Sequence, residues 1–126
     1  MSTASNILLV SSRIEALRNF ADGLRSETQN TVISVSTVQE AIEAVMRIVP
    51  VMAVIDHEVG DISGLDIVRR ILKINAFIHT AVISDMEHEA FHEQSEGLGI
   101  VAQLPSAPGA QEARQLLSLL HDLMPS

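Results

Sequence analysis

The stretch Val51-Met-Ala-Val-Ile-Asp-His-Glu-Val-Gly-Asp-Ile-Ser-Gly-Leu65 joins a short apolar run to a carboxylate and then to two glycines. The run is β-branched and bounded by Pro50 behind and by Gly60 and Gly64 ahead, a pattern that predicts a buried strand, a loop and a helix in succession. Asp56 then stands at the carboxyl end of a central strand. In open α/β sheets that edge is where ligands bind, so the chemistry around Asp56 decides what the chain can do.

Outward from this stretch, short apolar runs alternate with amphipathic ones. Ile7-Leu-Leu-Val10 reads as a first buried strand, and Ser12 with Glu15 has the spacing of a capping box opening a helix with Ile14, Leu17, Phe20, Ala21 and Leu24 on one face. Thr31-Val-Ile-Ser-Val-Ser36 gives a second strand. Thr37 with Glu40 predicts another capping box, ahead of Ala41, Ile42, Val45, Ile48 and Val49. The helix after Asp56 is expected to begin near Ser63, with Asp66 favourably placed in its first turn, and to bury Leu65, Val68, Ile71 and Leu72. Thr80-Ala-Val-Ile-Ser84 supplies strand four, and residues 87–96 a polar helix. Gly99-Ile-Val-Ala-Gln-Leu104 supplies strand five, stopped by Pro105, and residues 110–124 a closing Leu-rich helix.

Five strand-helix units with right-handed crossovers imply an α/β fold, a parallel five-stranded sheet with helices on both faces in a doubly wound three-layer sandwich. The 126 residues, 47% of them hydrophobic, suit one domain over 1–126, with no linker or internal repeat. With 8 Lys+Arg against 16 Asp+Glu the net charge is -8, which disfavours nucleic acid and anionic lipid as direct partners. The absence of cysteine excludes disulfides and thiol chemistry. No secretory leader and no apolar run of membrane-spanning length is present, so a soluble cytoplasmic protein is expected.

The order and spacing of all five units resemble the response-regulator receiver domain, the phosphoacceptor module of two-component signalling. The resemblance rests on Ile55-Asp56, on the Asp61-Ile-Ser-Gly-Leu65 segment and on Pro105 after strand five, and it spans the whole chain. It implies a (βα)5 flavodoxin-like sheet of order 2-1-3-4-5, with Asp56 as the candidate phosphoacceptor and Ser84 as the hydroxyl that contacts the phosphoryl group. A histidine kinase or an effector would be the partner, and the chain would not itself be an enzyme.

Several positions depart from the family's pattern. Ser11 and Ser12 stand where an acidic pair holds a divalent cation, and Leu104 stands where a Lys contacts the phosphoryl group. Gly60 replaces a loop proline, and Val101 replaces an aromatic switch residue. Phosphoryl transfer to a carboxylate depends on positioning and charge neutralisation, so the cation and the Lys are its main parts. Mg²⁺ binding here is expected to be weak, because hydroxyls do not replace carboxylates for a hard cation. Glu58, two residues beyond Asp56, is the one candidate substitute for a cation site otherwise built from Asp56, Ser11 and Ser12. These losses point to a degenerate receiver acting mainly as a protein-interaction module, the alternative being a receiver phosphorylated on Asp56.

Two further features carry other readings. His88-Glu89-Ala90-Phe91-His92 fits the HExxH pattern of zinc hydrolases, although it falls on the most polar helix and no third ligand is marked out. In the last helix, Leu116, Leu117, Leu119, Leu120, Leu123 and Met124 cover more than one face, which suggests a homodimer or docking surface through the fourth and fifth helices.

Overall fold

The computed structural model describes residues 5–26 and 30–123. Five strands, β1 (Ser5–Val10), β2 (Asn30–Val35), β3 (Met52–Ile55), β6 (His79–Ile83) and β7 (Ala102–Leu104), pair in parallel in the order β2-β1-β3-β6-β7. Between β3 and β6 a small antiparallel hairpin intervenes, β4 (Glu58–Val59) with β5 (Ile62–Ser63). Setting the hairpin aside, the sheet order is the expected 2-1-3-4-5.

Period-two alternation divides the core into two layers. Ile7, Leu9, Met52, Val54, Ala81 and Ile83 face α1 (Arg18–Leu24) and α5 (Ala110–Leu123). Leu8, Val10, Ala53, Ile55 and Val82 face α2 (Val38–Ile48), α3 (Gly64–Ile74) and α4 (His88–Gln94). Both faces of the three inner strands are therefore buried, which is why they read as continuous apolar runs rather than as alternating ones. The α1 and α5 helices pack so closely that a Cβ on Gly23 would lie 2.6 Å from that of Ala113.

One helix start follows its expected cap, a second begins where expected and is capped by Ser63, and a third departs. Thr37 Oγ1 accepts from the Glu40 amide at 3.1 Å and Ser63 Oγ accepts from the Asp66 amide at 3.2 Å, each satisfying an otherwise unpaired N–H of a first turn. The Ser12–Glu15 capping box does not form. The chain instead enters α1 through a 3-10 turn (Ile14–Leu17) flanked by Arg13 with no side-chain cap, and Ser12 is exposed. Arg13 occupies the cap position but its guanidinium has no acceptor to offer; it reaches Asp56 just beyond β3, and the hydroxyl that accepts the Arg13 amide, at 3.0 Å, belongs to Ser11.

Other boundaries are trimmed. Strand five pairs only over Ala102–Leu104, α4 covers His88–Gln94, Leu72 is half-buried, and Met124 lies outside the described residues. The hairpin turns on Gly60, whose φ of 63° suits the first position of a two-residue type II′ loop and which proline could not adopt. On α5, Ala113, Leu116, Leu117 and Leu120 point into the core, so much of the apparent apolar excess is ordinary packing. Leu119 is half-buried and Leu123 exposed.

Candidate functional site

Register brings Ser11 and Asp56 together. Val10 pairs with Ile55, and the Asp56 amide donates to the Val10 carbonyl at 2.9 Å, so the two residues that follow continue the same-face rows Ile7-Leu9 and Met52-Val54. Both are sealed, Ser11 fully and Asp56 with 1% exposure. The carboxylate thus faces the side of the sheet covered by α1 and α5, and the groups that reach it come from the segment leading into α1 and from His57, the next residue along the chain.

Arg13 is the principal partner. Its Nε donates to Asp56 Oδ2 at 2.7 Å and its Nη2 to Oδ1 at 3.0 Å, a two-pronged guanidinium-carboxylate pair, while Nη2 also reaches the Ser106 carbonyl at 2.7 Å. Ser11 Oγ donates to Oδ2 at 2.7 Å. The His57 amide donates to Oδ1 at 2.9 Å, and its ring Nδ1 lies 3.1 Å from the same oxygen. A carboxylate offers about four lone-pair directions. Five polar contacts converge on them, so each oxygen of Asp56 is engaged by at least two of these groups.

The charge state follows from the same contacts. Burial pushes the Asp56 carboxyl up, and the hydrogen bonds from Arg13, Ser11 and His57 together outweigh it, so its pKa lies below the ordinary value. The bond to Asp56 raises Arg13 in turn, against the opposing effect of its own burial. At contact, two unit charges attract by roughly 4 kcal/mol at an effective dielectric near 20, and desolvating a carboxylate costs several kcal/mol. The pair therefore adds little net stability, but either member left alone would be strongly unfavourable.

A divalent cation does not fit this arrangement. The two oxygens of Asp56 already face a guanidinium, the neighbouring carboxylate of Asp85 is engaged by the Ser106 amide, and the residues at the end of β1 are hydroxyls. Glu58 is exposed on the β4–β5 hairpin, paired in register with Ser63, and no contact carries it to Asp56. Among the described residues no group of three or more His, Cys, Asp and Glu side chains could hold a metal ion.

The remaining candidate residues fall elsewhere. Leu104 is a buried core side chain, and its carbonyl accepts from the Ser84 amide at 2.8 Å. Ser84 lies just beyond the end of β6, and its hydroxyl accepts from the Met86 amide at 3.1 Å, with no contact to Asp56. Gln103 fastens that loop from β7, donating to the Ser84 carbonyl at 3.1 Å and the Met86 carbonyl at 2.7 Å. In α4, Phe91 is buried and holds the helix down, which puts His88, Glu89 and His92 on its outer, exposed face. The metal-pattern residues thus share a helix face without a third ligand among the described residues.

Sequence reasoning missed Arg13, although a signal for it exists. Of the 8 basic residues it alone lies in a loop at the carboxyl edge of the sheet, and a buried carboxylate without a cation site needs a counter-charge from such a position. The role of Gly64 was equally unmarked. A Cβ there would collide with the Asp56 carbonyl, so the start of α3 lies directly on the backbone of the site, and the Gly64 amide donates to the His57 carbonyl at 2.8 Å.

No protein-family model and no curated protein matches the chain. Solved structures do resemble it. The non-phosphorylated HemR receiver domain from Leptospira biflexa superposes with a TM-score of 0.81 at 18% identity, covering 97% of this chain and 98% of that one. A two-component response regulator of the LuxR family from Aurantimonas gives 0.80 at 17% identity, over 96% and 87% of the two chains. The CheY-like receiver domain protein from Methanospirillum hungatei gives 0.77 at 14%, over 95% and 96%. At such low identity the likeness is one of fold, and the fold of this chain is that of the response-regulator receiver domains.

Proposed function

We propose that this chain is a receiver-type module of two-component signalling in which aspartyl phosphorylation has been replaced by a permanent internal ion pair. It acts in the cytoplasm by presenting its surface to a protein partner, a histidine kinase or an effector. The observation that carries this reading is the two-pronged contact of Arg13 with Asp56, made inside a site closed by Ser11 and His57. A guanidinium there supplies the positive charge that a divalent cation would otherwise bring, and it does so without leaving a coordination position for a phosphoryl oxygen. The module then holds one charge state at this edge irrespective of a phosphodonor. A second copy would dock through α4 and α5, the latter bearing the half-buried Leu119 and exposed Leu123, and sedimentation at high concentration distinguishes dimer from monomer.

The test of the phosphorylation reading is incubation with a small phosphodonor and Mg²⁺, followed by intact-mass measurement. The chain is expected to remain unmodified. A stoichiometric phosphate adduct that Asp56→Asn abolishes would contradict the proposal.

A further inference from the structure

On the opposite side of the Asp56 loop, the carboxyl ends of β3 and β6 open into a cleft of about 530 Å³ between α3 and α4. Its size falls within the range of small-molecule sites, and its position at the carboxyl edge of an open α/β sheet is where such sites are found. The cleft exists for a local reason. Helix α4 has only 7 residues and covers the sheet through one large side chain, Phe91, while the loops that meet there present serines instead of bulk.

The lining has two characters. Leu65, Val82, Met86 and Phe91 form an apolar patch, with Val82 wholly buried beneath it. Around it stand hydrogen-bond donors. The hydroxyls of Ser63 and Ser84 accept from backbone amides but donate to no described partner, and the Ser106 hydroxyl, likewise, donates to none. Arg69 lies at the rim, half-exposed, with an ordinary surface contact to Asp66 at 3.0 Å and a long one to the Gln94 carbonyl at 3.4 Å. The one carboxylate in the lining, Asp85, is exposed and is engaged by the Ser106 amide at 3.1 Å. The apolar patch is therefore rimmed by an arginine and by serine hydroxyls with donors to offer.

From this we infer that the cleft between α3 and α4 is a binding site for a small planar apolar molecule carrying an anionic oxygen group. The apolar body lies against Leu65, Val82, Met86 and Phe91, and the oxygens take hydrogen bonds from Arg69 and the serine hydroxyls. Ligand occupancy would fasten the loop that begins at Ser84 to α3, giving the module an input other than phosphoryl transfer. The titration is run on the unmodified chain, because two residues of the lining, His57 and Ser106, also touch Asp56 and Arg13.

Anilinonaphthalene sulfonate has the required chemistry and serves as the probe. Titrated into the intact chain and followed by methyl NMR, it is expected to bind saturably at one site and to shift the Leu65 and Val82 methyl signals while the remaining spectrum keeps its folded dispersion. Arg69→Ala should weaken binding about tenfold, and Ser84→Phe, which fills the cleft, by more than that. Thermal melts followed by circular dichroism verify that both variants fold. If Ser84→Phe does not fold, the wild-type shift map alone decides. Shifts that avoid Leu65 and Val82, an absence of binding, or affinity unchanged in a folded Ser84→Phe variant would each overturn the inference.

Discussion

The two flanks of one sheet edge are built on opposite principles. On the α1/α5 flank, Asp56 is sealed from water and each of its oxygens is engaged by Arg13, Ser11 or His57. On the α3/α4 flank, barely a residue away along the chain, a cleft remains open and its hydroxyls keep unengaged donors. The difference arises from a few side chains on a common scaffold. A loop arginine pairs with the strand-end carboxylate on one flank, and on the other a short helix with small neighbours leaves space where a longer one would fill it. A fold therefore does not dictate what its edge does; the loops that meet there do.

The largest break in this comparison is expected from Arg13→Ala. It would leave a buried carboxylate without its counter-charge, and unfolding by denaturant should show a loss of about 2–3 kcal/mol at neutral pH. That is less than for a fully enclosed pair, because Arg13 keeps 34% of its side chain in water. Gly64→Ala comes next. Its Cβ would press on the Asp56 carbonyl, backbone that cannot swing aside as a side chain can, and the expected loss is about 2 kcal/mol by the same assay.

A finer test uses pH. The Asp56 pKa is lower in the folded chain than in the unfolded one, where it is about 3.9, so its stabilising contribution is complete above that pH and is lost as acid takes the solution through the folded value. Asp56→Asn should therefore be less stable than the wild type at neutral pH, and the gap should narrow steadily below about pH 4 in parallel denaturation series. A gap that does not change with pH would mean that the carboxylate charge contributes nothing to the α1/α5 flank.

Much of this architecture is legible in the sequence, because burial on both faces of inner strands and one apolar stripe per helix leave strong periodic marks. The β1 and β3 runs, the cap at Thr37 and the helix start near Ser63 were readable for that reason. What escaped reading depends on contacts between distant segments. Arg13 and Asp56 are separated by 43 positions, and no local pattern joins them. Ser12 carries the spacing of a cap, yet it is exposed, the chain opens on a 3-10 turn without a side-chain cap, and it is Ser11 whose hydroxyl accepts the Arg13 amide. The β4–β5 hairpin left a fainter mark, Val59 and Ile62 flanking Gly60-Asp61, that a reading centred on Asp56 passes over. The α3/α4 cleft had no sequence signature at all, since it is made by what α4 does not cover.

The most direct test of the central claim is an NMR titration of the Asp56 side-chain carboxyl carbon, carried out with and without Mg²⁺. A carboxylate held by Arg13 should titrate only below the ordinary value of about 3.9, and its signal should not move when Mg²⁺ is added. A carboxyl that titrates at or above that value, or one whose signal shifts with Mg²⁺, would show that Arg13 does not hold the site.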